Sequence, residues 1–588
     1  MKKFLAEQIP ENSLHVKFDI VTGQALKDDG YPHLQLDCIS LFLLSLVQMI
    51  SSGLQIIYTS DEVEFVQNLI YCIERAYRIA DYGMWERGSK YNTGTPELNA
   101  SNVGMAKAAL EAVNGFNLFG EHGASWTVVY IDIDAHIRNK AVFEQLLPRE
   151  SSSKPTDAAL LPVLSWPFFA THDAHLKEQT LLTIVQSLKG RYGFKRYLRD
   201  GYGTLLEDRN AQFYQESANL QIFEGLECEW PFLTFFQIIG CIFRGDLHQA
   251  NELWADMELM LHMTSQGVVV PAYYYVPYNH SGKTRGQGQR VATTEGQDDK
   301  YFLWGQSLYV VTRLLIDSLV PVNELDPIKR HLSASERPRL SHRYINFEAS
   351  SKDRLIQIAV IAESLRLHQV LATHGVPSQT PMQTEPIQIW SPNQLKAALK
   401  FMGVNYDLEL CGRPERPVGL LGTSLFYRVC GQTVICYPLL FEVNDFYISQ
   451  DLNSVINKVQ SDIHMLSCMW KLEGRPTYLI MITEAMVQSA NARDLIDLLS
   501  SLKAGATCTG VRVKLDRLQS LVSSGTKEHL DFLTHLSEQS NSKDELNFKS
   551  IKERETSSTS ELRVNLSPER VCQVQPPAEA CHYLLPLQ

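Results

Sequence analysis

The first 330 residues read as a succession of amphipathic helices separated by long loops rich in Gly, Asn, Tyr and Pro, and that pattern constrains the fold more than any other feature. An apolar run from about Leu36 to Ser52 stops at Gly53. The next helix is expected to open at Asp61, with Glu64 three residues on as a capping box. Its apolar positions Val63, Val66, Leu69, Ile70, Ile73 and Tyr77 recur at helical spacing. A third helix opens at Ser101 and carries Met105, Ala108, Ala109, Ala112 and Val113, and others are expected near 174–188, 230–243, 247–262 and 303–317. Strand signals are few here, the clearest being Thr127 to Ile133, TVVYIDI. Many helices with long aromatic loops predict a helical barrel or toroid whose loops at one end carry a site. An ordinary bundle is the alternative, and a loop as long as 263–302 counts against it, because bundle connections are short.

The character changes after residue 325. The stretch DPIKRHLSASERPRLSHR is polar and basic, a helix is expected over roughly Lys352 to His368, and VPSQTPMQTEPIQIW forms a Pro- and Gln-rich link. Beyond it, Thr433 to Leu440 and Thr477 to Thr483 are β-rich, with helical segments at 451–470 and 490–503, which predicts a smaller α/β module. The expected organisation is a helical domain over 1–325, a linker and helix over 326–390, an α/β module over 391–530 and an unstructured Ser-, Lys-, Glu- and Pro-rich tail over 531–588.

Composition excludes several classes. Hydrophobic residues make up 44% and charged residues 20%, the balance of a soluble globular protein, and 588 residues imply two to four domains. A net charge of −12 argues against a general nucleic-acid binder. The eleven cysteines include no C-x-x-C pair, sit mostly in apolar runs and read as buried thiols of a reducing compartment, and no zinc or other metal site is expected. The start, MKKFLAEQIPENS, lacks the apolar core of a secretory signal, and Leu36 to Ile50 is too short and too polar to span a bilayer. The ending CHYLLPLQ places no Cys fourth from the end, so no prenylation box is seen. The expected location is the cytosol. No phosphate-binding loop, kinase motif set or nucleophile elbow is present, and no cofactor is expected.

Four segments could carry chemistry. In D-Y-G-M-W-E-R-G-S-K-Y-N (81–92), Trp85 could stack on a sugar face while Glu86 protonates a glycosidic oxygen. Arg87 and Lys90 would lower that acid's pKa, which is wrong for a general acid, and a salt-linked structural Glu explains the spacing better. In L-E-C-E-W-P (226–231), Glu227 and Glu229 could bind sugar hydroxyls, or could serve a helix N-terminus with Pro231 in its first turn, the favoured reading. Asp37 in H-L-Q-L-D and Trp304 in F-L-W-G-Q-S-L-Y complete the set. All four lie where a loop meets a helix. Ser333, Ser335 and Ser341 are candidate phosphorylation sites in the basic linker, where phosphate could pair with Arg337, Arg339 or Arg343.

Together, Q-L-D before an apolar helix, the W-E-R-G segment and S-N-V-G-M-A-K-A-A-L (101–110) resemble the glucoamylase-type glycoside hydrolases of family 15, whose fold is an (α/α)6 toroid. H-L-Q-L-D, W-E-R-G-S-K-Y-N, E-L-N-A-S-N-V-G-M-A-K-A-A-L-E-A (97–112), K-G-R-Y-G-F-K-R-Y-L-R-D-G-Y (189–202), L-E-C-E-W-P and G-R-P-E-R-P-V-G-L-L-G-T-S (412–424) resemble the regulatory subunits of phosphorylase kinase more closely. N-G-F-N-L-F-G (114–120) and V-P-A-Y-Y-Y-V-P (270–277) favour their β type. The resemblance implies a subunit of a cytosolic assembly of α, β, γ (the kinase) and δ (calmodulin) chains acting in glycogen metabolism. In it the β chain restrains the kinase until Ca²⁺ or phosphorylation relieves the restraint. Members bind calmodulin and are often prenylated and membrane-associated.

By the same resemblance Glu86 matches the general acid of the hydrolases, but inversion needs a second carboxylate ~6.5–9.5 Å away. Where α-type chains show P-E-x-Y, this chain has Pro271, Ala272, Tyr273 and Tyr274, and alanine is no base. The family's early W-x-R-D segment is also missing, so an N-terminally truncated toroid, a fragment or variant isoform, is expected. The favoured reading is a regulatory subunit without catalysis. The alternatives are an oligosaccharide sensor and an α-glucan hydrolase using Glu86.

Overall fold

The computed structural model describes residues 1–9, 12, 14, 18–24, 36–85, 95–207, 220–265, 267–277, 289–293, 302–347, 355–442, 451–505, 507 and 510–531. The chain divides into two compact units. One comprises Met1–Ile56, Leu69–Val113 and Ala135–Pro338; the other comprises Ile57–Asn68, Asn114–Asp134 and the chain from Arg339.

The first unit is helical. Its central helix, Ala100–Val113, is buried on every side, with Glu111 alone partly exposed. A helix apolar or small all round belongs in an interior. Its small residues let neighbours approach: a Cβ on Gly104 would lie 2.6 Å from both Phe143 Cε2 and Val163 Cγ1. Helices Leu36–Ser51 and Leu160–Leu164 pack against it, and Pro231–Phe243 packs against Leu160–Leu164, Leu247–Glu258 and Leu303–Ile316. The expected helices appear within a few residues of their predicted bounds.

Two details differ. The helix Ser60–Ile73 is capped by Thr59 and Glu62, not Asp61 and Glu64. The Glu62 carboxylate accepts from Thr59 N at 2.9 Å and Thr59 Oγ1 accepts from Glu62 N at 3.3 Å, two residues earlier than expected. The segment TVVYIDI yields a strand of two residues, Val128–Val129, before helix Ile133–Leu146 begins. The long 263–302 segment also carries short pairs, His262–Thr264 with Gly267–Val269 and Tyr274–Tyr275 with Val291–Ala292.

The second unit is α/β. Ile356–Ala362, expected as part of a helix over Lys352 to His368, is instead a strand with all seven residues buried. It is the centre of a parallel sheet, with Thr477–Ile482 on one side and Val513–Leu515 on the other. A run rich in Ile and Val and buried on both faces is what a central parallel strand requires, and periodicity cannot separate it from a buried helix. The helix starts later, Leu365–Thr373, with Ser364 as N-cap. A second sheet runs Lys527–His529, Phe426–Val429, Gln432–Cys436, Ile387–Trp390. Its hairpin turns through Cys430 and Gly431, both at positive φ, as a two-residue turn matching strand twist demands.

The two inserted segments are wired into this unit by side chains. Gln67 pairs with both backbone groups of Tyr130, and Asn68 donates to Gly403 O. Asp134 accepts from the N–H groups of Leu421 and Gly422 at 3.0 Å, while Asp132 faces Arg413 and Arg416 at 3.2 and 3.1 Å. The D-I-D sequence therefore shapes the G-R-P-E-R-P-V-G-L-L-G loop.

Candidate functional site

In the first unit the loop holding Trp85 is closed at its neck by paired backbone bonds between Asp81 and Glu97. Glu86, Arg87, Lys90 and Tyr91 lie outside the described residues. Trp85 is described, and its Nε1–H donates to Asp157 Oδ1 at 2.9 Å. Asp157 is fully buried, accepts from Ala159 N at 2.8 Å and pairs with Lys154.

Arg196 and Asp200, which sequence reasoning did not single out, form a bidentate pair at 2.6 and 2.9 Å within the R-Y-L-R-D-G-Y segment. The Arg196 guanidinium carbon lies 5.1 Å from the Trp85 ring centre, 4.6 Å from Tyr202 and 5.0 Å from Trp230. The i, i+4 spacing of Arg196 and Asp200 was a visible signal, but such pairs are common in structural roles.

Further buried acids, Asp81 and Glu150, lie near Asp157 and one another. Asp81 is buried, accepts from the amides of Asn99 and Asn102 and from Gly83 N, and burial raises its pKa to about 7. Nearby Asp37, in the first turn of Leu36–Ser51, adds to that rise. Glu150 reaches from outside the helix to cap Ala100–Val113, accepting from Ser101 N and Oγ. Burial, with Asp157 adding, pushes the Glu150 carboxyl up, and Ser101 opposes it.

Glu227 and Glu229 take neither expected part. Pro231 does begin the helix, but no side chain caps it. Glu227 accepts from Arg199 N and Gly225 N, both at 2.9 Å, and pairs with Lys195 at 3.1 Å. Glu229 accepts from Tyr192 N at 2.7 Å and pairs with Arg290 at 2.8 Å. Both are buried, and the orphan amides they satisfy belong to loops, a stronger demand than a helix dipole. The K-G-R-Y-G turn is cut to fit them: a Cβ on Gly190 would lie 2.1 Å from the Glu229 carboxyl carbon.

Ala272 is buried and its neighbour Tyr273 packs 4.9 Å from Trp230. Trp304, 37% exposed, packs on Phe232, Phe236 and Phe302 at 5.1, 5.8 and 6.0 Å, which makes it part of an aromatic layer that continues through Phe302 to Trp230. Trp85, Arg196, Tyr202, Trp230 and Tyr273 are thus brought together, while Glu227 and Glu229 are committed to loop support. Within the cluster Tyr202 is exposed and Trp85 partly so, whereas Arg196, Trp230 and Tyr273 are buried and the Arg196 charge is met by Asp200. Among the described residues no group of His, Cys, Asp or Glu could hold a metal ion, and no helix is long and apolar enough to cross a membrane.

Ser333 and Ser341 meet carboxylates rather than arginines. Ser333 Oγ donates to Glu336 at 2.7 Å and Ser341 Oγ to Glu121 at 2.6 Å. Ser335 Oγ lies 3.0 Å from Ser333 Oγ. Arg337 is engaged with Leu332 O and His172, and Arg339 with Glu473.

The family model for glycosyl hydrolases family 15 matches residues 2–556, and the chain belongs to that family. Membership carries the mainly helical, glucoamylase-type fold expected from sequence. Among curated relatives, the chain is 49% identical over 531 residues to a probable phosphorylase b kinase regulatory subunit beta of Drosophila melanogaster, covering 90% of this chain and 48% of that one. It is 37% identical over 537 residues to the liver isoform of phosphorylase b kinase regulatory subunit alpha of Oryctolagus cuniculus, covering 91% of this chain and 42% of that one. The chain therefore spans about half the length of the curated relatives it matches. A solved wild-type glycosidase aligns with a TM-score of 0.34 at 16% identity, over 51% of this chain and 71% of that chain.

Proposed function

We propose that the chain acts as a regulatory and scaffold part of phosphorylase kinase, without catalysis of its own. The observation that carries the reading is the 49% identity across nine-tenths of the chain to a β-type regulatory subunit. The same reading supplies the partners: the γ kinase, which the chain restrains, the α chain, and calmodulin as δ. Ca²⁺ and phosphorylation then feed into glycogen breakdown. Residence in the cytosol suits cysteines that read as reduced thiols, with lipid anchoring at the membrane's cytoplasmic face following from the family resemblance alone. Ala272 supports the absence of hydrolysis, since the family resemblance sets it where α-type chains carry P-E-x-Y, and a methyl group cannot activate water. Purified chain mixed with γ and calmodulin should co-elute as one species on gel filtration; independent elution of all components would refute the reading.

The accessible rings of Trp85 and Tyr202, both backed by Arg196, favour a second property, binding of α-glucan without cleavage. Asp37, Glu86, Arg87 and Trp304 belong to that proposal as the surrounding candidates. Calorimetry with maltooligosaccharides should show heat that Trp85→Ala removes, and no glucose release. Glucose release abolished by Glu86→Gln would instead establish a hydrolase.

A further inference from the structure

The helix Ser60–Ile73 begins in the second unit, and its first turns meet the loop 403–411 of the same unit. Buried Asn405 makes the junction. Its Nδ2 group donates to Asp61 Oδ1 at 2.9 Å and to Glu64 Oε2 at 2.6 Å, and its Oδ1 accepts from Leu408 N at 2.8 Å. Asn68, one turn further along the helix, donates to Gly403 O. At the helix start, Glu62 accepts from Tyr58 N at 2.8 Å. These bonds fix the backbone on both sides of one surface.

That surface shows large apolar side chains to solvent. Tyr58 is 62% exposed, Phe65 42%, Tyr406 55% and Leu408 48%. Such side chains, gathered on one surface and rimmed by polar groups, mark an interaction site. The rim is acidic: Asp61, Glu62, Glu64, Asp407 and Glu409 stand among them, while residues 57–68 and 403–411 include no Lys, Arg or His. Among the described residues none of these five carboxylates is paired with a cation. Lys396 and Lys400, at the end of the preceding helix, act on Glu415 instead. Asp61 and Glu64 share the single amide of Asn405; burial, and then Asp61, raise the Glu64 pKa to about 7 against that hydrogen bond.

We propose that this surface docks a basic amphipathic segment of a partner protein, with its apolar side chains on the four exposed residues and its Lys or Arg side chains on the surrounding carboxylates. Charge selects the occupant. Nucleic acid and anionic membrane would be repelled by five carboxylates without cations. A second copy of a chain with net charge −12 would be repelled as well. The chain's own residues 532–588 contain eight Asp and Glu against six Lys and Arg, so they offer no basic complement. A basic partner gains the attraction, and the hydrogen-bonded loop needs little ordering on binding.

The test measures binding of a short Lys/Leu peptide, with leucines at helical spacing, to the full chain by fluorescence anisotropy. A Glu/Leu peptide of the same pattern is the reference. The Lys/Leu peptide should bind at micromolar concentration, more weakly as salt rises, and the Glu/Leu peptide should not bind. Phe65→Ser with Tyr406→Ser, and separately Asp407→Lys with Glu409→Lys, should each weaken binding at least about tenfold. Asp494→Lys with Asp497→Lys makes the same change in net charge on helix Ala492–Lys503 and should leave the affinity within about twofold. All six substituted positions are exposed, so each variant keeps the fold, and either surface variant alone decides the matter. No binding of the Lys/Leu peptide, surface variants that bind as the parent does, or an equal loss in the chain changed at Asp494 and Asp497 would each overturn the proposal.

Discussion

Several carboxyls of this protein hold their protons into the neutral range, and the cause is burial. Glu528, on strand Lys527–His529, is pushed up to about 8 by burial, with Asp132 adding and Arg413 opposing. A folded-state pKa above the unfolded one means that the folded chain retains a proton the unfolded chain has released. The resulting stability is complete below pH 4.5, the unfolded value, and is lost as pH rises towards and through about 8. Asp81, raised to about 7 from 3.8, adds a loss over a lower window. Denaturation midpoints should therefore fall between pH 5 and 8, and Glu528→Gln should flatten the upper part of that slope. An unchanged slope in the variant would show that Glu528 does not titrate in this range. At the same scale, Trp85→Phe strips Asp157 of a 2.9 Å donor and should cost about 1–3 kcal/mol in urea unfolding, the penalty for an under-satisfied buried acceptor.

Among the elements, helix Ala100–Val113 is the least tolerant. Gly104→Val should destabilise the chain by roughly 1–3 kcal/mol or more through overpacking against Phe143 and Val163, readable as a fall in Tm. The helices with clear amphipathic stripes were legible in sequence, as were the strand Thr477–Ile482 and the helix Leu452–Met469. Ile133–Leu146 was not, because its start, I-D, follows directly on the β-branched run VVYI and reads as strand. Ile356–Ala362 was misread because an apolar run buried on both faces has no period to report. Of the candidate site, Trp85 was found by its neighbours in sequence. Arg196 and Asp200 were not, since their significance lies in rings contributed by residues 85, 202 and 230, which no local pattern brings together. Glu227 and Glu229 were recognised as special, but their partners, the amides of residues 192, 199 and 225, are visible only in the fold.

At the scale of the molecule, the sequence reading divided the chain in linear order, whereas the second compact unit borrows Ile57–Asn68 and Asn114–Asp134 from within the helical half. The reason is specific: Gln67, Asn68, Asp132 and Asp134 each satisfy groups on 130, 403 or the 413–422 loop. Asp134→Ala should therefore loosen a loop more than 280 residues away in sequence, seen as faster amide exchange at Leu421 and Gly422.

The central claim, that this glucoamylase-type chain serves a kinase and not a glycan-cleaving reaction, is tested most directly by reconstitution. The chain is mixed with the γ kinase and calmodulin, and kinase activity and co-elution are measured with and without Ca²⁺. A stable complex in which the chain lowers kinase activity, with Ca²⁺ restoring it, is the predicted result. A chain that neither joins the complex nor alters its activity would contradict the account.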